Sequence, residues 1–188
     1  MATMGLVGLG RMGAGLAARW RAAGIAVVGF DRDAARAQAV AVSTGLEAAP
    51  SLTALVARLE RPRAVWIMVP AGAPTAAVLE QLAAELAPGD LAVDGGNSDW
   101  RHTVVWAERF AQRGLHLVDA GTSGGVWGER EGYCLMVGGG GRGGGPARAV
   151  LRRLGAAGGL GPRGPVRGRA LRQNGPQRGG VRPHARLR

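Results

Sequence analysis

The glycine pattern of residues 8–13, Gly-Leu-Gly-Arg-Met-Gly, most constrains what this chain can fold into. A short apolar run, residues 4–7, precedes it, and an alanine-rich segment follows it. This is the pattern of a strand, a tight turn and a helix, in which Gly8 makes the turn, Gly10 admits a pyrophosphate and Gly13 lets the helix pack on the strand. The N–H groups and the dipole of the helix start favour phosphate. The pattern predicts a dinucleotide-binding turn, the alternative being a glycine-rich turn in another α/β protein.

An acidic residue follows at the place where such a turn needs a partner for a ribose. A second apolar run, residues 25–30, ends in Asp31. In dinucleotide-binding folds an acid about 20 residues beyond the turn binds a ribose hydroxyl. Strand, turn, helix, second strand and acid together favour the dinucleotide interpretation.

Further apolar runs alternate with helical segments along the chain. The predicted strands cover residues 64–69, 91–94, 115–118 and 133–137. This alternation predicts an α/β fold with a Rossmann-type, doubly wound parallel sheet. Function in such sheets gathers where the strands end, here in the loops of residues 8–13, 31–33, 69–72, 94–98 and 119–128.

Helix boundaries and single residues give predictions that the structure can test. Helices are expected over residues 11–22 and 33–44, after Pro50-Ser51, around residues 78–86, and from Ser98, as N-cap, to about residue 113. Trp20 and Cys134 are predicted to be core residues. His102 and His116 carry no catalytic pattern, and no metal site is predicted.

The net charge of +11 arises in the last quarter of the chain. Residues 1–139 hold twelve arginines and thirteen acids, whereas residues 140–188 hold twelve arginines and no acid. We therefore divide the chain into a dinucleotide-binding domain, 1–139, and a low-complexity tail of Gly, Arg and Pro, 140–188, which is expected to be disordered. Arginines can bind nucleic-acid phosphates, but the tail lacks the interleaved aromatic residues that stack on bases.

Composition also bounds where the protein works. No apolar run approaches the roughly 20 residues of a membrane-spanning helix, and no secretion signal is evident at the N-terminus. The single cysteine excludes an internal disulfide and fits a reducing compartment. A cytoplasmic location without membrane contact is expected.

Three strings resemble one enzyme family, the decarboxylating 6-phosphogluconate dehydrogenases. They are IMVPAG at 67–72, DGGNS at 94–98 and DAGTSGGVWGEREGYCLMVGG at 119–139. The turn GLGRMG at 8–13 is similar to that of the shorter, bacterial, NAD-using branch. The resemblance covers residues 1–139 and implies an oxidoreductase that converts 6-phosphogluconate to ribulose 5-phosphate. It also implies a homodimer formed through a helical domain that this chain does not contain.

The resemblance assigns roles to matching positions only. It implies cofactor contacts for Gly8, Leu9, Gly10, Arg11, Met12, Gly13, Asp31, Arg32, Val69, Pro70, Ala71 and Asn97. It implies substrate contacts for Asn97, Ser123, Gly124 and Gly125. Hydroxyl, amide and backbone N–H donors suit a phosphorylated sugar acid. Read without the family, Asn97-Ser98 is equally consistent with a simple helix start, and Ser-Gly-Gly with an ordinary turn.

The residue at position 31 bears on the choice of cofactor. NADP-using members of the family resemble one another in having Asn followed by Arg at this turn, whereas this chain has Asp31 followed by Arg32. A carboxylate repels a 2′-phosphate and accepts hydrogen bonds from ribose hydroxyls, although the neighbouring arginine can pair with a phosphate. NAD is therefore the expected cofactor, with NADP as the alternative.

The family's catalytic groups are missing from this chain. The resemblance implies a lysine base and a glutamate acid within a later motif, but the chain has no lysine and no acid after Glu131. Residues 171–182 can be encoded so that reading one nucleotide later gives YVKMVHNGVEY, which resembles that motif. We infer a frameshift between about residues 137 and 146, with the tail as out-of-frame translation. No catalytic residue is assigned, and the chain alone is expected to be inactive.

Other functions stay open at this point. A 3-hydroxyisobutyrate-type dehydrogenase shares the glycine turn, but it is expected to lack the Trp127-Gly128 pair. A non-catalytic dinucleotide-binding module is a further alternative. Nucleic-acid binding through the arginine tail ranks last.

Overall fold

The computed structural model describes residues 3–139, which form an α/β fold. The strands are β1 Thr3–Val7, β2 Ala26–Phe30, β3 Glu47–Ala48, β4 Ala64–Ile67, β5 Leu91–Asp94, β6 His116–Ser123 and β7 Cys134–Gly139. The helices are α1 Arg11–Ala22, α2 Ala34–Thr44, α3 Leu52–Ala57, α4 Ala73–Glu85, α5 Trp100–Gln112 and α6 Gly128–Glu131, with a 3-10 turn at Gly125–Trp127. The predicted tail, residues 140–188, lies outside the described residues.

The seven strands form one sheet in the order β3-β2-β1-β4-β5-β6-β7. The first six are parallel, and β7 runs antiparallel to β6. The strand order reverses between β1 and β4, which is the point where open α/β sheets bind ligands. The Rossmann-type fold is therefore confirmed, with one antiparallel strand added at its edge.

Two apolar layers cover the sheet because its central strands are buried on both faces. On β4, Trp66 belongs to one layer, whereas Val65 and Ile67 belong to the other. Helices α1 and α2 contribute to the first layer, where Trp20 packs edge-on against Trp66 with ring centroids 5.5 Å apart. Helices α3, α4 and α5 contribute to the second. The prediction that Trp20 is a core residue is confirmed.

Two secondary-structure predictions differ from the structure, one in the length of a strand and one in the cap of a helix. The strand predicted to end at residue 118 continues to Ser123, because β7 pairs with it from Val118 to Ser123 and supplies hydrogen-bond partners for a glycine-rich segment. Helix α5 is capped by Asp99, whose carboxylate accepts from the N–H of Arg101, and not by Ser98. The short strand β3 was not predicted.

Cys134 is exposed, which contradicts its prediction as a core residue. Successive residues of a strand face opposite sides. On β7, Leu135 and Val137 pack against the first apolar layer, which leaves Cys134 and Met136 on the uncovered face. None of the helices within residues 3–139 has the length and apolar character needed to cross a membrane.

Candidate functional site

The turn after β1 is built so that only glycine fits at two of its positions. Gly8 has a φ of +90°, and its N–H donates to the carbonyl of Phe30 at 2.8 Å. A Cβ on Gly8 would lie 2.6 Å from the carbonyl oxygen of Met68, and a Cβ on Gly13 would overlap the carbonyl oxygen of Gly8. The backbone therefore brings the turn, the start of α1 and the end of β4 into direct contact.

Gly10 differs from these two glycines because a Cβ there would meet nothing within 4 Å. The first turn of α1 also lacks a side-chain cap and an acidic residue, whereas α2, α3 and α5 are capped by Asp33, Ser51 and Asp99. Like α4, α1 thus begins with N–H groups that no side chain caps, and the open position at Gly10 beside them leaves room for a phosphate.

The side chains of the turn divide into inward and outward ones. Leu9 is buried in the first apolar layer, so its side chain is not available to a ligand. Met12 is partly buried against the same layer, and Arg11 is exposed at the start of α1. Arg11 therefore places a positive charge at the first residue of α1.

Asp31 ties the end of β2 to the glycine turn. Its Oδ2 accepts from the N–H of Leu9 at 2.7 Å, and its Oδ1 accepts from the N–H of Asp33 at 2.9 Å. The Nη1 of Arg36 lies 3.2 and 3.4 Å from the two carboxylate oxygens. The residue is buried, whereas its neighbour Arg32 is exposed. A carboxylate has about four lone-pair sites, and these four contacts use them, so a ribose hydroxyl would bind Asp31 in place of the half-exposed Arg36.

The loop after β4 lies beside the turn. Val69 is partly buried, and Pro70 and Ala71 are exposed. The hydroxyl of Thr75 donates to the carbonyl of Pro70 at 2.9 Å and so holds the loop against the first turn of α4. Gly72, with a φ of +89°, then turns the chain into that helix.

The loop after β5 is packed against the one after β4. A Cβ on Gly96 would lie 2.5 Å from the carbonyl oxygen of Val69, and the N–H of Gly96 donates to Oδ1 of Asp94 at 3.0 Å. Asn97 follows with a φ of +58° and an exposed side chain. Asparagine adopts this left-handed conformation more readily than most residues. The structure thus brings Asn97 to the same edge of the sheet as Val69.

Ser123, Gly124 and Gly125 lie farther out than the loops after β4 and β5. Asp119 is level with Asp94 at the end of β5, and β6 continues for four more residues, about 13 Å of strand. Gly124 and Gly125 have φ of +139° and +48°, and a Cβ on Gly125 would meet nothing within 4 Å. The segment then returns toward α1, which it contacts through residues 125–131.

Sequence reasoning missed two groups near this edge. Arg36, which pairs with Asp31, carried no signal beyond its place in the first turn of α2. Asp94 and Asp119 stand side by side on neighbouring strands. Burial raises the pKa of the Asp119 carboxyl, and the charge of Asp94 raises it further. Within residues 3–139 no cluster of three or more His, Cys, Asp or Glu suited to a metal ion is found.

Comparison with protein families identifies the fold's relatives. The NAD-binding domain of 6-phosphogluconate dehydrogenase matches residues 3–161. The NAD(+)-dependent, decarboxylating 6-phosphogluconate dehydrogenase of Haloferax volcanii is 44% identical over 136 residues, which are 72% of this chain and 44% of that protein. The chain spans less than half the length of the first curated relatives that it matches.

Solved structures share this fold. A 6-phosphogluconate dehydrogenase of Plasmodium falciparum, studied with NADP+ and 6-phosphogluconate, has the same fold, with a TM-score of 0.76 and 22% identity over 83% of this chain and 34% of that one. The 3-hydroxyisobutyrate dehydrogenase of Mycobacterium tuberculosis gives a TM-score of 0.70 and 28% identity over 84% of this chain and 50% of that one. With residues 3–161 matched by the family, this chain belongs to the NAD-binding domains of the 6-phosphogluconate dehydrogenases.

Proposed function

We propose that this chain is the cofactor-binding part of a decarboxylating 6-phosphogluconate dehydrogenase with a preference for NAD. The observation that supports it most is the meeting of loops at one edge of the sheet. The glycine turn and Asp31 lie beside the loop that contains Val69, and that loop packs against the one containing Asn97. These are the loops in which the sequence resembles the family.

In this proposal the glycine turn holds the pyrophosphate. The uncapped N–H groups at the start of α1 donate to its oxygens, and Gly10 leaves space for them. Asp31 accepts from the adenosine ribose hydroxyls, and the charge of its carboxylate disfavours a 2′-phosphate. The guanidinium of Arg32, which is exposed, lies by the adenosine ribose in this proposal and can pair with a phosphate of the cofactor.

Val69, Pro70 and Ala71 would hold the nicotinamide end of the cofactor, which would supply the hydride acceptor for the C3 position of the sugar acid. Asn97 donates from its side-chain amide toward both ligands, and Ser123 with the backbone N–H groups of Gly124 and Gly125 binds the sugar acid. These groups bind and orient, and none of them is a strong base.

We propose that the chain by itself does not catalyse the oxidation of 6-phosphogluconate. General acid and base groups typically contribute about 10²–10⁴-fold to a rate, and this chain has no lysine and no acid after Glu131. Inserting or deleting one base near codon 140, so that YVKMVHNG is read, is expected to restore activity if the downstream gene is intact.

A 3-hydroxyisobutyrate-type dehydrogenase is the second candidate, because one such enzyme shares the fold at 28% identity. The two candidates differ in the acid that the Ser-Gly-Gly segment binds. A phosphorylated sugar acid carries more charge and more hydroxyl groups than 3-hydroxyisobutyrate.

The test is calorimetric titration of the chain with NAD, NADP, 6-phosphogluconate and 3-hydroxyisobutyrate. The proposal expects NAD to bind more tightly than NADP and 6-phosphogluconate to bind more tightly than 3-hydroxyisobutyrate. It also expects no NADH formation in a spectrophotometric assay. The reverse order of the acids would favour the second candidate, and binding of neither acid would favour a non-catalytic dinucleotide-binding module.

A further inference from the structure

One buried aromatic ring, that of Tyr133, lies between α1 and the segment that follows β6. Tyr133 is 5% exposed. A Cβ on Gly15 of α1 would overlap its hydroxyl oxygen, and a Cβ on Gly128 would overlap its ring. On Gly124 a Cβ would lie 3.1 Å from a ring carbon. The ring therefore occupies space that three glycines leave open, one on α1 and two on the segment.

A polar contact joins the same two elements. The Nη1 of Arg19, on α1, donates to the carbonyl of Glu129 at 2.9 Å. Burial raises the pKa of the Tyr133 phenol, as does the charge of Glu129, while Arg19 acts in the opposite direction. The phenol is therefore uncharged at neutral pH, and its ring packs as an apolar body in the first core layer.

These contacts connect the two halves of the proposed site. Helix α1 begins at the phosphate-binding turn, and the segment packed against Tyr133 begins at Ser123, the last residue of β6. We infer that Tyr133 is a positioning residue, whose ring fixes the loop of residues 123–125 relative to α1. This inference rests on the proposed function, which gives those residues a sugar acid to bind. Because hydride transfer tolerates little misplacement, the spacing set by the ring matters to the reaction.

The glycines offer a matched set of variants for testing the inference. Gly15→Ala places a methyl group against the Tyr133 hydroxyl, and Tyr133→Phe removes that hydroxyl while the ring stays. In the double variant the added Cβ would lie 3.4 Å from the ring carbon Cζ, an ordinary contact. Gly128→Ala is the control, because its methyl group overlaps the ring itself and Tyr133→Phe cannot relieve it.

The first readout needs no ligand. Hydrogen–deuterium exchange of the full chain is followed in peptides covering residues 123–132, with peptides of β1 and β4 as internal references. We expect Gly15→Ala to speed exchange in that segment by about tenfold and to leave the references unchanged, since overpacking displaces the segment locally. Tyr133→Phe alone should match the wild type. Adding it to Gly15→Ala should restore slow exchange, whereas adding it to Gly128→Ala should not.

The second readout separates positioning from general stability. Gly15→Ala should weaken 6-phosphogluconate binding by about tenfold and leave the Kd of NAD within about twofold, and Tyr133→Phe should rescue the loss. The inference would be overturned if Tyr133→Phe failed to restore slow hydrogen–deuterium exchange in the Gly15→Ala background. It would also be overturned if Gly15→Ala accelerated exchange equally in every peptide. If the wild-type chain binds no 6-phosphogluconate, the proposed function fails, and exchange alone decides whether Tyr133 positions the loop.

Discussion

The two glycine-rich segments, residues 8–13 and residues 123–128, use glycine for different reasons. In the first, Gly8 and Gly13 are required because backbone atoms occupy the place of a Cβ. In the second, Gly128 is required because an aromatic side chain occupies that place. The obstacle at Gly8 is the backbone of Met68, which follows β4, whereas the obstacle at Gly128 is the side chain of Tyr133. The proposed phosphate half of the site is thus shaped by backbone contacts, and the proposed substrate half by the packing of one side chain.

The largest loss of stability is expected at Gly13, where an added Cβ would overlap a backbone carbonyl. Gly13→Ala should lower the free energy of unfolding by about 1–3 kcal/mol or more, since its methyl group overlaps the carbonyl of Gly8. Chemical denaturation measures the change. The matched control is Gly10→Ala, whose methyl group meets no protein atom within 4 Å. It should keep most of the stability and weaken NAD binding; equal destabilisation by both would contradict the distinction.

The next effect concerns the link between the turn and β2. Asp31→Ala removes the acceptor for the N–H of Leu9, and an unsatisfied buried donor costs about 1–3 kcal/mol. Asp31→Asn keeps an oxygen in place and should lose less stability. Both variants should lower the preference for NAD over NADP, as measured by titration with each cofactor. An unchanged preference in both would remove Asp31 from the ribose site.

A smaller effect is expected at the loop after β5, where shape and chemistry can be separated. Asn97→Gly keeps the φ of +58° without strain and removes the amide, whereas Asn97→Ala also introduces strain of about 1–2 kcal/mol. Thermal unfolding should therefore distinguish the variants, and both should bind 6-phosphogluconate more weakly. If Asn97→Gly binds as well as the wild type, the amide does not contact the substrate.

The smallest effect is the pH dependence at Asp119. Its pKa is raised in the folded state, so its charged form opposes folding, and stability falls as pH rises from 3.8 through the raised value. Asp119→Asn should remove this fall, as followed by denaturation between pH 4 and pH 7. Asp99→Asn is the control of opposite sign, because the pKa of Asp99 is lowered by its bond from the Arg101 N–H. A steeper fall in Asp119→Asn would contradict the assignment.

The proposed phosphate half of the site was predictable because its glycines and its acid stand at fixed spacings in the sequence. Residues 8–13, the end of β2 and helix α1 were placed with almost no error, since turn geometry and apolar runs fix them. The Asp31–Arg36 pair was not predictable, because the arginine's direction depends on how α2 starts. The roles of the individual site residues stay predictions that ligand titration must test.

The sequence by itself determined the parallel core of the sheet and the dinucleotide turn, because both follow from alternating apolar runs and glycines at fixed spacing. Only the tertiary structure decided how residues 119–139 pair and pack. There, β6 extends through Gly121 because β7 pairs with it, and Cys134 is exposed. Tyr133 packs between α1 and the segment after β6. Strand pairing and side-chain packing, which no local propensity encodes, produce each of these outcomes.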